Sequence, residues 1–283
     1  MQSLLKSTIA ILASSTLLHS CIWENPEIGY QEVHAHQVLT DYLEEQGFKV
    51  TRSAYNLSTA FRAEFSNGEG RDVSFNSEFD ALPGLGHACG HNLIATVGVA
   101  AAIGVKDALE NGSVKGSVVP RRDVVLDQVQ SILYASGNGT NTTVEITPFQ
   151  DYWDQNPSYQ LASTFYQYQM KYLDPADDPK TANFTVSSPE ESRRDGGASA
   201  SSDQGNVSWF LPAIQVGFPV GGGAPVHNAG FRELAGTDFA HESAIQTAKI
   251  LALTGLEVLQ NETYAEAMWE EWRAMIEEVS VSI

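Results

Sequence analysis

One stretch of the chain sets the expected fold: residues 72–109 read DVSFNSEFDALPGLGHACGHNLIATVGVAAAIGVKDAL. Asp72–Phe79 has the composition of a strand, and Asn92–Leu109, which is rich in Ala and Val, is typical of a buried helix. The residues between them carry glycines that allow a tight loop. A strand that leads through a loop into a buried helix favours an α/β protein, in which ligands gather at the carboxyl ends of strands.

The flanking sequence continues this alternation of strands and helices. Apolar residues at helical spacing end at a glycine after residue 46, and an alternating apolar run is followed by Ser-Asn-Gly at residues 66–68. We expect Pro120 to interrupt the strand that begins at Gly116. The predicted elements are a helix at 34–46, strands at Thr59–Phe65 and Gly116–Val119, a helix at Asp123–Tyr134, a strand at Thr143–Thr147, a helix at Pro157–Leu173, a loop at 174–205, a strand at Val207–Val216 and a helix from Thr237 to about Leu259.

Composition excludes several classes of protein. The chain has 283 residues, enough for one large domain or two modest ones, and 42% of them are hydrophobic. Sixteen basic and 35 acidic residues give a formal net charge of −19, which repels nucleic acid and anionic lipid. No apolar run reaches the length of a membrane span. Two cysteines, Cys21 and Cys89, are too few for a disulfide scaffold.

The N-terminus supports two interpretations. Lys6 followed by a mostly apolar run to Leu18 fits a secretory signal at residues 1–22, although His19 is a poor residue for a cleavage region. The alternative is an ordinary N-terminal helix that covers the core. Seven glycosylation sequons agree with a secreted glycoprotein, which we favour over a cytoplasmic protein, and leave open a binding role outside catalysis. The sequons begin at Asn56, Asn111, Asn138, Asn141, Asn183, Asn206 and Asn261.

The loop before the buried helix carries the densest chemistry. Residues 78–92 read EFDALPGLGHACGHN and place a carboxylate, a thiol and two imidazoles close together. Cys89 and His91 can face one metal ion, because they lie two residues apart on a loop, and a thiolate with a neutral imidazole suits zinc. One alternative is a buried cysteine at a helix start. Another is a cysteine nucleophile paired with His91, for which no third orienting group is evident.

The other titratable residues give weaker signals. His227 follows a triple glycine, so its loop can swing it towards a remote ligand set; the alternative is a surface histidine. We expect His241 to pack or cap its helix. His34 and His36 are expected on a solvated helix face, and Glu190-Glu191 as a solvated charge pair.

Taken together, these motifs resemble the amidohydrolase branch of metallopeptidase family M20, which includes aminoacylases, hippurate hydrolases, auxin-conjugate hydrolases and dipeptidases. The segments that carry the resemblance are Asp80-Ala-Leu-Pro83 with His87-Ala-Cys-Gly-His91, Trp23-Glu-Asn-Pro-Glu-Ile-Gly29 with Glu32, Ser202-Asp-Gln-Gly-Asn-Val-Ser208 and Pro225-Val-His227. It implies a mixed sheet flanked by helices, as in a zinc-peptidase-like catalytic domain, with a lid that dimerises.

The resemblance also implies a site. It assigns Cys89, His91 and His227 as ligands of a divalent metal, zinc or manganese, Asp80 as an orienting acid and Asn206 as a substrate-binding residue. The substrate would be a small peptide or an N-acyl amino acid. Bound metal would polarise the scissile carbonyl and lower the pKa of a water, and a glutamate would take the proton of that water.

That glutamate is missing from its expected place. The family carries a Glu-Glu pair just past the strand that here begins at Gly116, where this chain reads Pro120-Arg121-Arg122. We therefore expect residues 23–119 and 151–283 to form two parts of a catalytic domain around a truncated lid at 120–150. The chain is then an impaired amidohydrolase or dipeptidase; the alternative is an inactive truncated or splice form with residual metal binding.

Overall fold

The computed structural model describes residues 18–121, 153–173, 188–190 and 202–281. The helix and strand predicted within residues 123–147, and the truncated lid beyond residue 121, lie outside the described residues. So do residues 1–17 of the predicted signal and most of the loop at 174–205.

Eight helices and four strands are named here within the described residues. The helices are α1 (18–24), α2 (Val33–Glu45), α3 (His91–Glu110), α4 (Tyr159–Tyr172), α5 (Gln204–Ser208), α6 (Ala229–Ala235), α7 (Asp238–Gln260) and α8 (Glu262–Val281), and the strands are β1 (Lys49–Arg52), β2 (Phe61–Ser66), β3 (Arg71–Asn76) and β4 (Gly116–Arg121).

The strands form one mixed sheet in the order β1-β2-β4-β3. β1 pairs with β2 and β2 with β4 in antiparallel fashion, whereas β3 and β4 run parallel. The crossover between β3 and β4 is α3, as parallel pairing requires. Helices α2, α3 and α7 pack against the strands. The structure therefore confirms the predicted mixed sheet flanked by helices.

Helix α3 is the centre of the core. It has the length and hydropathy of a membrane-spanning helix, but 89% of its most apolar window is buried inside the protein. A helix that is apolar on all sides is expected in this position. Gly98 permits its close approach to the end of β3: a Cβ there would lie 2.1 Å from the Ser77 Oγ and 3.0 Å from the Asn76 carbonyl oxygen.

Helix α1 is part of the same core. Leu18 and Ile22 are buried among core residues, and the Ile22 carbonyl oxygen lies 3.0 Å from the Nε2 of His87. The signal peptide or N-terminal helix expected at residues 1–22 stays a prediction, because residues 1–17 lie outside the described residues.

Two expectations from the sequence are wrong. Pro120 does not interrupt β4, which continues to Arg121 with Pro120 opposite Phe75 in the parallel register. The strand predicted at Val207–Val216 is absent: the chain forms α5 up to Ser208 and is irregular from 209 to 220. The Ser208 hydroxyl donates to the Gly205 carbonyl oxygen at 2.6 Å, and such local bonds compete with strand pairing.

Candidate metal centre

The candidate site lies where β3 ends and α3 begins, as expected for an α/β sheet. The intervening loop turns back through glycines in the left-handed region, and Gly90 (φ +81°) is the residue that starts α3. A Cβ at Gly90 would also touch the ring of Phe231 at 3.4 Å. This turn brings Cys89 and His91 back towards the carboxyl end of β3.

Asp80 and His91 form the best-defined contact of the site. The Nδ1–H of His91 donates to the Asp80 Oδ1 at 3.0 Å. Because Nδ1 is occupied in this way, the free electron pair of the neutral imidazole lies on Nε2. A carboxylate that fixes a histidine tautomer is the usual partner of a metal-ligating histidine, so the geometry suits the orienting role expected for Asp80.

The charges around His91 favour its protonated form in the absence of a cation. Burial lowers the pKa of His91, but its hydrogen bonds with Asp80 and Cys89 and the nearby charge of Glu78 outweigh burial and hold the pKa well above its ordinary value. A ligand histidine must be neutral, so a metal ion would compete with this proton.

His227 meets Cys89, although 138 residues separate them in the chain. The His227 Nε2 lies 3.3 Å from the Cys89 Sγ. The loop is held in place because the backbone N–H of His227 donates to the Ala88 carbonyl oxygen at 2.8 Å, and the Asn228 side chain accepts from the Phe231 N–H at the start of α6. His227 adopts φ +65°, a conformation that non-glycine residues seldom adopt.

Glu78 joins the site, although we did not predict a role for it. Its Oε2 lies 3.6 Å from the His91 Nε2, and its Oε1 accepts from the Ser202 hydroxyl at 3.0 Å. The sequence does contain a signal for this residue: Glu78 and Asp80 are two apart in extended chain, a spacing that puts both side chains on one face.

His87 belongs to the core rather than to the candidate ligands. Its side chain is buried, and its Nε2 lies within hydrogen-bonding distance of the Ile22 carbonyl oxygen. Its Nδ1 has no hydrogen-bond partner among the described residues. Burial, together with the charge of His91, lowers the pKa of His87 to about 4. His87 is therefore neutral over the physiological pH range.

Asn206 contacts the segment that precedes α4. It is buried, and its Oδ1 accepts from the Trp153 N–H at 2.8 Å. This bond ties α5 to the segment that precedes α4. The substrate-binding role of Asn206 stays a prediction, and its burial excludes glycosylation of this sequon in the folded chain.

The remaining histidines and Glu190 lie apart from these donors. His34 contacts the Cys21 Sγ at 3.4 Å. The Nε2 of His36 is buried, and no residue in the described part of the chain forms a hydrogen bond with it. His241 is buried and packs against His19, which agrees with the packing role expected for it. The exposed Glu190 accepts a hydrogen bond from the Tyr159 hydroxyl, and Glu191 lies outside the described residues.

A cavity of about 600 Å³ opens beside the site. It is lined by the full length of β3 and by the irregular residues 211–216. Glu78 and Ser202 also line it, together with apolar side chains from α3, α4, α7 and α8. A ligand in the cavity would thus be able to reach the carboxylate that faces His91.

The donors fit a zinc-type ion by their chemistry. A thiol, two imidazoles and a carboxylate are the groups that zinc prefers. They contact one another in sequence, Glu78 with His91, His91 with Cys89, and Cys89 with His227. Across residues 18–121, 153–173, 188–190 and 202–281, however, no group of three such side chains is arranged so that it could hold a metal ion.

Comparison with known proteins gives related amidohydrolases. The chain is 50% identical over 105 residues to human Xaa-Arg dipeptidase, an alignment that covers 33% of this chain and 24% of the dipeptidase. The mouse Xaa-Arg dipeptidase is 47% identical over 103 residues, with the same coverage. A p-aminobenzoyl-glutamate hydrolase polypeptide of Escherichia coli is 39% identical over 115 residues, covering 34% of this chain and 24% of the hydrolase.

A solved structure overlaps part of the chain. It is a dinuclear metal-binding peptidase of the M20 family from Bacillus subtilis, with 23% identity, a TM-score of 0.37 and coverage of 40% of this chain and 35% of that one. No family model matches the chain. The chain spans about a quarter of the length of the curated relatives that it matches. Over about a third of its length, the chain is similar in sequence to these hydrolases.

Proposed function

We propose that this chain is a divalent-metal amidohydrolase whose turnover is impaired. Its substrates are dipeptides or N-acyl amino acids, and zinc or manganese is its metal. The observation that carries the proposal is the set of contacts that brings His227 to Cys89, beside an imidazole whose Nδ1 is fixed by Asp80. Among dipeptides, those that end in arginine are favoured, because the human relative is an Xaa-Arg dipeptidase and the chain carries a net charge of −19.

The residues would divide the work in the following way. Cys89, His91 and His227 would hold the metal, and Asp80 would keep the imidazole of His91 in the ligating tautomer. A divalent cation bound there would polarise the scissile carbonyl and lower the pKa of a water molecule. The chain lacks the Glu-Glu pair expected after β4 to accept the proton of that water. General acid–base catalysis contributes about 10²–10⁴-fold, and this is the loss that we expect.

The test is a turnover assay on the zinc-loaded and the manganese-loaded chain. Release of free amino acid from Xaa-Arg dipeptides and from N-acyl amino acids is compared with that of the human relative. We expect metal-dependent release about 10²–10⁴-fold slower. Cys89→Ala should abolish it, whereas Cys21→Ala, the matched control on α1, should not. A rate equal to that of the relative would refute the impairment.

The alternative is an inactive form with residual metal binding. It is favoured by the Pro120-Arg121-Arg122 sequence at the place of the expected glutamates. Zinc binding without any turnover would support this alternative. The absence of both binding and turnover would exclude the amidohydrolase and the alternative together.

A further inference from the structure

We propose that a group of exposed aromatic side chains at α5 and α8 is a docking surface for an arginine-rich peptide segment of a partner protein. This surface, called here the aromatic patch, consists of Trp153, Trp209, Phe210, Trp269 and Trp272. It contains four of the five tryptophans of the chain. It uses no residue of the candidate metal centre, so the inference goes beyond the proposed function and does not depend on a metal.

Three members of the patch come from two segments that pack closely. Trp153 stacks on Phe210, with ring centroids 5.9 Å apart, and meets Trp209 edge-on at 6.4 Å. The indole N–H of Trp209 donates to the Asp154 carbonyl oxygen at 2.8 Å. Gly205 permits this approach, because a Cβ there would lie 2.1 Å from the Trp153 carbonyl oxygen.

The other two members extend the patch onto α8. Trp269 and Trp272 form an edge-on pair with ring centroids 5.6 Å apart. The indole N–H of Trp272 donates to the carbonyl oxygen of Ser208, the residue before Trp209. The rings are therefore held in place before a partner arrives, which lowers the entropy cost of association.

Three rings of the patch are open to solvent. Phe210 is 60% exposed, Trp269 38% and Trp153 37%. Contiguous exposed apolar surface marks interaction sites, and tryptophan is among the residues that contribute most to binding at interfaces. Trp269 also lines the cavity described above, so the patch continues into a concave surface.

The charges around the patch select a cationic partner. Helix α8 carries six carboxylates and one cation. Glu266, three residues before Trp269, shares its helix face, and Glu270 follows it; both glutamates are exposed. The exposed Asp154 belongs to the segment that precedes α4. A guanidinium stacks on the face of an indole, and its charge is complementary to these carboxylates.

The same charges disfavour other occupants of an aromatic surface. A second copy of the chain, related by two-fold symmetry, would bring the same carboxylates against one another. Nucleic acid and anionic lipid would be repelled by these carboxylates and by the net charge of −19. An arginine-rich peptide satisfies both the rings and the charges.

The experiment measures binding of a fluorescein-labelled octa-arginine peptide to the full chain by fluorescence anisotropy. Octa-lysine and octa-glutamate are compared with it. Octa-arginine should bind more tightly than octa-lysine, because guanidinium stacks better on indole, and octa-glutamate should not bind. With unlabelled octa-arginine the intrinsic tryptophan emission should change and saturate, because four of the five indoles lie in the patch.

Variants separate the patch from the net charge of the chain. Phe210→Ala and Trp269→Ala keep every charge and should each lower the affinity for octa-arginine about 3- to 30-fold. Phe210 is mostly exposed, so its variant should fold even if Trp269→Ala does not. Tyr55→Ala removes a 49% exposed ring outside the patch and should match the unmodified chain. Glu270→Gln should weaken binding, whereas Glu45→Gln, an exposed position on α2, should not.

Two results would overturn the inference. One is an equal affinity of the unmodified chain, Phe210→Ala and Trp269→Ala for octa-arginine, or no binding at all, because net charge alone would then account for any attraction. The other is self-association of the unmodified chain in sedimentation that Phe210→Ala abolishes, because the patch would then join two copies. Neither result bears on metal-dependent turnover, so the proposed function would stand.

Discussion

Replacing His87 should remove a defined part of the acid sensitivity of this protein. His87 is only 1% exposed, and its pKa is lowered to about 4 in the folded chain, from 6.5. Between these two values the unfolded chain binds the proton that the folded chain refuses, so stability falls as the pH falls through this window. The linkage relation gives a loss of about 2 kcal/mol at pH 5 and about 3 kcal/mol at pH 4.

The assay is urea unfolding of the unmodified chain and of His87→Gln at pH 7 and pH 5. Glutamine can still donate to the Ile22 carbonyl oxygen but does not titrate. The free energy of unfolding of the unmodified chain should fall by about 2 kcal/mol more than that of His87→Gln between the two pH values. His19 and His36, whose pKa values burial also lowers, are present in both proteins and cancel. Equal losses in the two proteins would show that His87 titrates normally.

The remaining predictions concern packing and metal affinity. Gly98→Ala should lower the free energy of unfolding by about 1–3 kcal/mol, because its Cβ would clash with the end of β3. Gly104→Ala in the same helix meets only a side chain at 3.1 Å and should stay within about 1 kcal/mol of the unmodified chain in the same denaturation; matching losses would refute the difference. Ile22→Ala should lower the free energy of unfolding by about 2–5 kcal/mol. Val33→Ala, at a 65% exposed position, should lower it by under about 0.5 kcal/mol. Equal melting temperatures for the two variants would show that α1 is not docked. Asp80→Asn should weaken zinc binding about 10–100-fold in calorimetry, and an unchanged affinity would remove its orienting role.

Local sequence patterns predicted most of the described elements. The helix expected at Asn92–Leu109 is α3, and Thr237 caps α7 by accepting from the Ala240 N–H, as its position suggested. Both signals are short-range, because periodicity and capping involve residues within a few positions of one another. The prediction of a strand at Val207–Val216 was wrong, because it rested on apolar composition alone. Composition does not show whether backbone groups bond locally, as they do in α5, or to a neighbouring strand.

The candidate site was predictable only in part, for the same physical reason. Cys89 and His91 are visible in the sequence because they are neighbours in one motif. The contact of His227 with Cys89 was implied by resemblance and depends on a loop docked from the other end of the chain. The spacing of Glu78 and Asp80 suggests a shared face, but the contacts of Glu78 with His91 and Ser202 depend on the fold and cannot be derived from spacing.

The contact between Cys89 and His227 also bears on the entropy of the chain. A cation held by both residues would close a loop of 138 residues, which includes most of the segments outside the described residues. By the chain-entropy relation used for disulfides, a permanent cross-link of this length restricts the unfolded chain by about 5 kcal/mol. Bound metal would then stabilise the fold mainly by restricting the unfolded chain, and its removal would lower the free energy of unfolding by up to that amount.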